Sequence, residues 1–138
     1  MSRIVHCLLA AGLLSSGYAS AAPHYPSPFP PGYEAAYRAY LASLPPGTGQ
    51  YGWLTRFNGV SSPARPLMMK GKPVLYMFGC KNHECDTNNV NLFLFPDRKR
   101  VSAIVKLNGK QALVGTAGPQ EIACVKTLDT SGGAAEAC

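Results

Sequence analysis

Cys80, Lys81, Asn82, His83, Glu84, Cys85 and Asp86 bring two thiols, an ammonium, an imidazole and two carboxylates into seven consecutive positions. Such a set admits four kinds of chemistry: a disulfide-closed recognition loop, a zinc site on Cys80, His83 and Cys85, a thiol redox centre, or a catalytic cluster of His83, Glu84 and Asp86. The redox centre lacks its C-x-x-C spacing. A hydrolytic reading lacks a nucleophile, since no Ser or free Cys is placed by a recognisable motif and bridged cysteines cannot attack. No catalytic residue or cofactor is therefore expected, and the choice between zinc and bridge turns on the spacing, since Cys-x4-Cys is unusual for zinc, and on the compartment, since an oxidising one favours the bridge and leaves no metal ligand.

The N-terminus speaks to the compartment. Arg3, an apolar run from Ile4 to Leu14 and the small-residue step Ala19-Ser20-Ala21 read as a signal peptide over 1–21 with an A-x-A cleavage site. The run is too short to span a bilayer, so no membrane span is expected. Export removes Cys7 and leaves Cys80, Cys85, Cys124 and Cys138, an even number in an oxidising compartment. Four cysteines allow three pairings. Proximity favours Cys80 with Cys85 and Cys124 with Cys138, while the sequence alone leaves connectivity open.

Composition limits the rest. With 46% hydrophobic and 14% charged residues, the 138-residue chain suits one small domain and excludes a disordered tail or a multidomain enzyme. Without Arg3 the 13 Lys+Arg fall by one against 7 Asp+Glu, leaving about +5. The cations are scattered, and only Arg98-Lys99-Arg100 cluster, in a segment that reads as a solvated hairpin tip; no nucleic-acid partner is expected.

The elements that must position the loop follow from periodicity. Residues 22–32 form a proline-rich arm, extended and serving as linker or packed strap. Tyr33, Tyr37, Tyr40, Leu41 and Leu44 mark one face of a helix that Pro45-Pro46-Gly47 ends. Short strands are expected at Gly52 to Phe57 and Pro66 to Met69. Val74 to Phe78 is unbroken apolar sequence, as in a strand covered on both faces. Val90 to Phe95 and Val101 to Leu107 are further strands, and Asn108-Gly109 is a type I′ hairpin signal leading to Gln111 to Gly115. A short helix is expected from Pro119 to Leu128. The class is α+β: an antiparallel meander sheet, an N-terminal amphipathic helix, a short C-terminal helix and a protruding disulfide-closed loop, in a single domain over 33–138.

The segment Gly79 to Asn89, between the two best strands, is too polar for a core. A disulfide across so small a ring adds little global stability, so its use is rigidity. A stiff loop presents His83 with little entropy to lose on binding. Here the sequence resembles the Ivy family, the bacterial inhibitors of vertebrate, c-type lysozyme. The family's loop C-K-P-H-D-C stands here as Cys80-Lys81-Asn82-His83-Glu84-Cys85, with Asn82 in place of proline and Glu84 in place of aspartate. A tryptophan before a short strand and the step Ser62-Pro63-Ala64 recur upstream, so the resemblance covers about Tyr33 to Gly115.

The resemblance implies a periplasmic inhibitor of c-type lysozyme that protects peptidoglycan from host defence. Its loop would enter the active-site cleft, His83 would meet the two catalytic carboxylates, and Lys81 and Glu84 would orient the loop or contact the rim. The alternative from the same resemblance is a regulator of the cell's own lytic transglycosylases. A homodimer is also implied. C-type lysozymes are basic, so at about +5 the inhibitor gains no long-range attraction, and affinity falls to local fit and to Glu84 and Asp86.

Overall fold

The structure, a computed structural model, describes residues 27–138. The expected signal peptide and the first half of the proline-rich arm lie outside the described residues. Helix α1 spans Glu34–Ser43, α2 Gly52–Thr55 and α3 Pro119–Thr130; the strands are β1 Val60–Ser61, β2 Arg65–Met69, β3 Lys72–Cys80, β4 Asn89–Leu94, β5 Val101–Leu107 and β6 Lys110–Gly115. The class is α+β, as expected. β3 to β6 form an antiparallel meander, and β1 and β2 pair with opposite ends of β3 to complete a six-stranded sheet.

Helices cover both faces of the sheet. Against one face, Ala36, Tyr37 and Tyr40 of α1 and Trp53 and Leu54 of α2 pack on Met77, Val90, Leu92, Leu94, Val101, Ala103 and Val105. Against the other, Cys124 and Leu128 of α3 join Leu67, Met69, Val74, Tyr76 and Phe93. Alternate residues of β3 and β4 thus point into two different cores, and all six residues of β4 are buried. The β5–β6 turn is the I′ hairpin that Asn108-Gly109 announced, with φ of 49° and 79°. Arg98-Lys99-Arg100 lies in the exposed β4–β5 turn, where Asp97 accepts from Lys99 N, Arg100 N and the Arg100 guanidinium.

Two expectations need correction. Gly52 to Phe57 contains the short helix α2, not a strand: Leu54 N and Thr55 N donate to Tyr51 O, and Arg56 N donates to Gly52 O. Trp53 and Leu54 are adjacent and both buried in the same core, which strand alternation would prevent. Leu41, placed on the buried stripe of α1, is 37% exposed, and Ala36 is buried instead. The two tyrosines set that rotation, because Tyr37 Oη and Tyr40 Oη donate to Thr55 O and Leu54 O, each at 2.8 Å, satisfying carbonyls that so short a helix leaves open. Strand β1 was not foreseen.

The described end of the arm is a packed strap. Phe29 is 5% exposed, its ring centred 5.0 Å from Tyr37 and 5.8 Å from Tyr40. Disulfides join Cys80 to Cys85 and Cys124 to Cys138. The second ties the C-terminal tail beside β2, where Cys138 N donates to Met68 O and Lys70 N to Cys138 O. Arg65 Nη2 donates to Gly133 O and Ala135 O, so this sheet edge is capped by the chain's own end.

Candidate functional site

The Cys80 to Cys85 loop leaves the end of β3 and is gripped at its root from both sides. Val60 of β1 pairs with Cys80, and Asn89 of β4 pairs with it on the other flank. Gly59 permits the first contact: a Cβ there would fall 2.2 Å from Cys80 O. Gly79 permits the packing beneath, because a Cβ there would meet the buried Phe57 ring at 2.7 Å.

Beyond the root, Glu84 N donates to Lys81 O at 3.0 Å and closes a four-residue turn with Asn82 and His83 at its centre. His83 has φ 65°, the left-handed conformation that a type II turn requires at its third residue. Asn82 occupies the second position, where a proline ring would fix the needed φ. Lys81, Asn82 and His83 are exposed, and among the described residues no partner engages the imidazole. The disulfide consumes both thiolates beside His83 that a zinc ion would need.

The two charged neighbours of His83 turn inward to the loop itself. Glu84 Oε1 pairs with Lys81 Nζ at 2.7 Å, and Glu84 Oε2 accepts from Asn88 Nδ2 at 2.7 Å. Their charges are thus used to hold the turn, leaving Asp86 as the exposed acid of the loop. Buried Asn88 also accepts from Asn108 N at 2.9 Å through Oδ1, and Thr87 O accepts from Gly109 N at 2.9 Å. The loop therefore leans on the β5–β6 hairpin tip. Asn89 Nδ2 donates to Cys85 O at 2.7 Å, and Asn91 Oδ1 accepts from Tyr76 Oη at 2.7 Å. Burial pushes that Tyr76 hydroxyl up to about 12, keeping it protonated and donating.

Reading the sequence found the loop and missed its supports, Asn88, Asn89 and Asn108. The signal was there, as a polar Thr87-Asn88-Asn89 run entering an apolar strand, where short amides bind backbone. Also unforeseen is a groove of about 520 Å³ beside the loop, lined by Pro46, Tyr51, Trp53, Lys81, Asn88 and Asn108 among others.

The family model described as inhibitor of vertebrate lysozyme (Ivy) matches residues 37–130, from α1 through α3 and across the whole loop. No curated protein matches the chain. With that match over most of its length, this chain belongs to the Ivy family of inhibitors of vertebrate lysozyme.

Proposed function

We propose that this protein acts as an exported, periplasmic inhibitor that inserts the Cys80 to Cys85 loop into the active-site cleft of a c-type lysozyme, with His83 contacting both catalytic carboxylates. The observation that carries the reading is a free imidazole held at the apex of a disulfide-closed turn whose other charged groups are already paired. Rigidity matters because ordering a loop during association subtracts directly from affinity.

Lysozyme uses one carboxylic acid kept protonated in an apolar pocket and one ionised carboxylate, flanking the scissile bond. An imidazole has nitrogens on opposite edges, so one ring bridges both groups, and an imidazolium between two acids gains electrostatically as water is excluded. Occupying both removes the acid and the nucleophile of the reaction together. Lys81, tied to Glu84, contributes to the turn and touches the rim at most.

Titrating a c-type lysozyme with parent, His83→Ala and Lys81→Ala proteins tests the reading. His83→Ala should lose about 2 kcal/mol or more of binding, the scale of a central interface side chain, with an unchanged melting temperature. Lys81→Ala should lose less. Parental inhibition by His83→Ala would refute the loop-in-cleft mechanism.

A further inference from the structure

A stable protein interface takes ~800 Å² and about 20–30 residues from each partner, so a loop of six residues supplies roughly a quarter of it. If the loop enters a cleft, the surface beside its root meets the lip of that cleft. On this shoulder the structure places an unusual side chain. Tyr51 is 39% exposed, in the connector between α1 and α2, and its ring stacks on Trp53 at 6.4 Å between centroids with the planes 13° apart.

Trp53 is itself anchored. It is 8% exposed, belongs to the core under the sheet, and its Cβ lies against Gly59, the residue whose missing side chain lets the chain pass Cys80 O. Tyr51 is thus fixed through Trp53 to the root of the loop, and it lines the groove of about 520 Å³ together with Lys81, Asn88 and Asn108. Tyrosine and tryptophan dominate interface hot spots because they offer large rigid area with little entropy to lose.

We propose that the Tyr51–Trp53 stack and its groove are a second contact surface for the same lysozyme, receiving a side chain from the lip of the cleft while the loop fills its centre. This rests on the loop-in-cleft reading. The contact is aromatic and uncharged: the one charged side chain on the groove, Lys81, is paired with Glu84. It supplies attraction at short range, where an inhibitor of about +5 gains nothing from distant charge.

The test measures inhibition of a c-type lysozyme by Tyr51→Ala, Tyr51→Phe, Gln50→Trp, Met68→Ala and His83→Ala proteins, each checked for folding by thermal melting. Tyr51→Ala should weaken inhibition about tenfold or more, as a hot-spot truncation does, and Tyr51→Phe should stay near parent. The Tyr51→Ala loss should be equal at low and high salt, since screening acts on charged pairs. Gln50→Trp, which leaves the stack intact and fills the groove, should also weaken inhibition and covers the case of a poorly folded Tyr51→Ala. Met68→Ala, 41% exposed at the far end of the sheet, should inhibit as the parent does. Parental inhibition by folded Tyr51→Ala and by Gln50→Trp, with His83→Ala impaired, overturns the second surface and leaves the loop mechanism standing. Parental inhibition by His83→Ala as well overturns both.

Discussion

Asn88→Ala removes a side chain that hydrogen-bonds the loop to the neighbouring hairpin. Three hydrogen bonds go with it: the charge-assisted bond from Nδ2 to Glu84 Oε2 at 2.7 Å, the bond from Asn108 N to Oδ1 at 2.9 Å, and a longer, weaker one from Nδ2 to the exposed Thr87 Oγ1 at 3.4 Å. The Glu84 side chain is 41% exposed, so water takes over part of the first bond. Asn108 N is part-buried and keeps less access to solvent. Together the losses come to about 1–3 kcal/mol of folding free energy, dominated by the unpaired N–H. Binding should suffer separately, because a loop released from Glu84 and the hairpin must be ordered at association; an immobilised side chain or two corresponds to roughly 1 kcal/mol, or about fivefold in inhibition constant. Urea unfolding reads the first quantity and titration of lysozyme activity the second. Combining Asn88→Ala with Glu84→Ala gives the control, since residues in one network couple by at least ~0.5 kcal/mol. Parental stability for Asn88→Ala, or strict additivity in the double variant, would show that the asparagine does not brace the loop.

His83→Gly should separate stability from function: glycine relieves a left-handed backbone worth about 1 kcal/mol, so the melting temperature should hold or rise while inhibition is lost, and a lower melting temperature contradicts the assigned turn. Hydrogen bonds from Arg100 N, then the Arg100 guanidinium, then Lys99 N hold the exposed Asp97 at about 2 instead of 3.8. Its folded value is depressed, so its stabilisation of the β4–β5 turn is complete above 3.8 and disappears as pH falls through about 2. Carboxyl NMR titration should find this value, with Arg100→Ala moving it upward; an ordinary aspartate titration in the parent protein would refute the turn geometry.

Local patterning made most of the architecture legible. Asn108-Gly109 specifies an I′ turn by backbone preference alone, and a six-residue hairpin strand follows with little freedom of register. Val74 to Phe78 and Val101 to Leu107 declared themselves as strands because their apolar runs are bounded by turn residues. Gly52 to Phe57 failed for the opposite reason. Six residues with one tryptophan carry no period, and the choice of helix was made by Tyr37 and Tyr40, whose hydroxyls reach across from α1 to the carbonyls of Leu54 and Thr55. Contacts separated by fourteen to eighteen positions leave no trace in a local pattern.

The same division runs through the site. The sequence by itself determined the loop, because two cysteines five apart around polar residues have few other uses in a chain whose N-terminus reads as an export signal, and it put His83 at the apex. Only the tertiary structure decided which neighbours of His83 are spent and which are free. Lys81, Glu84 and Asn88 satisfy one another through a turn whose closure depends on the hairpin twenty residues away, and the Tyr51–Trp53 stack reaches the loop root because Gly59 lets β1 press against Cys80. Residue type fixes which bonds a side chain is able to make; the packing of distant segments fixes which of them it makes.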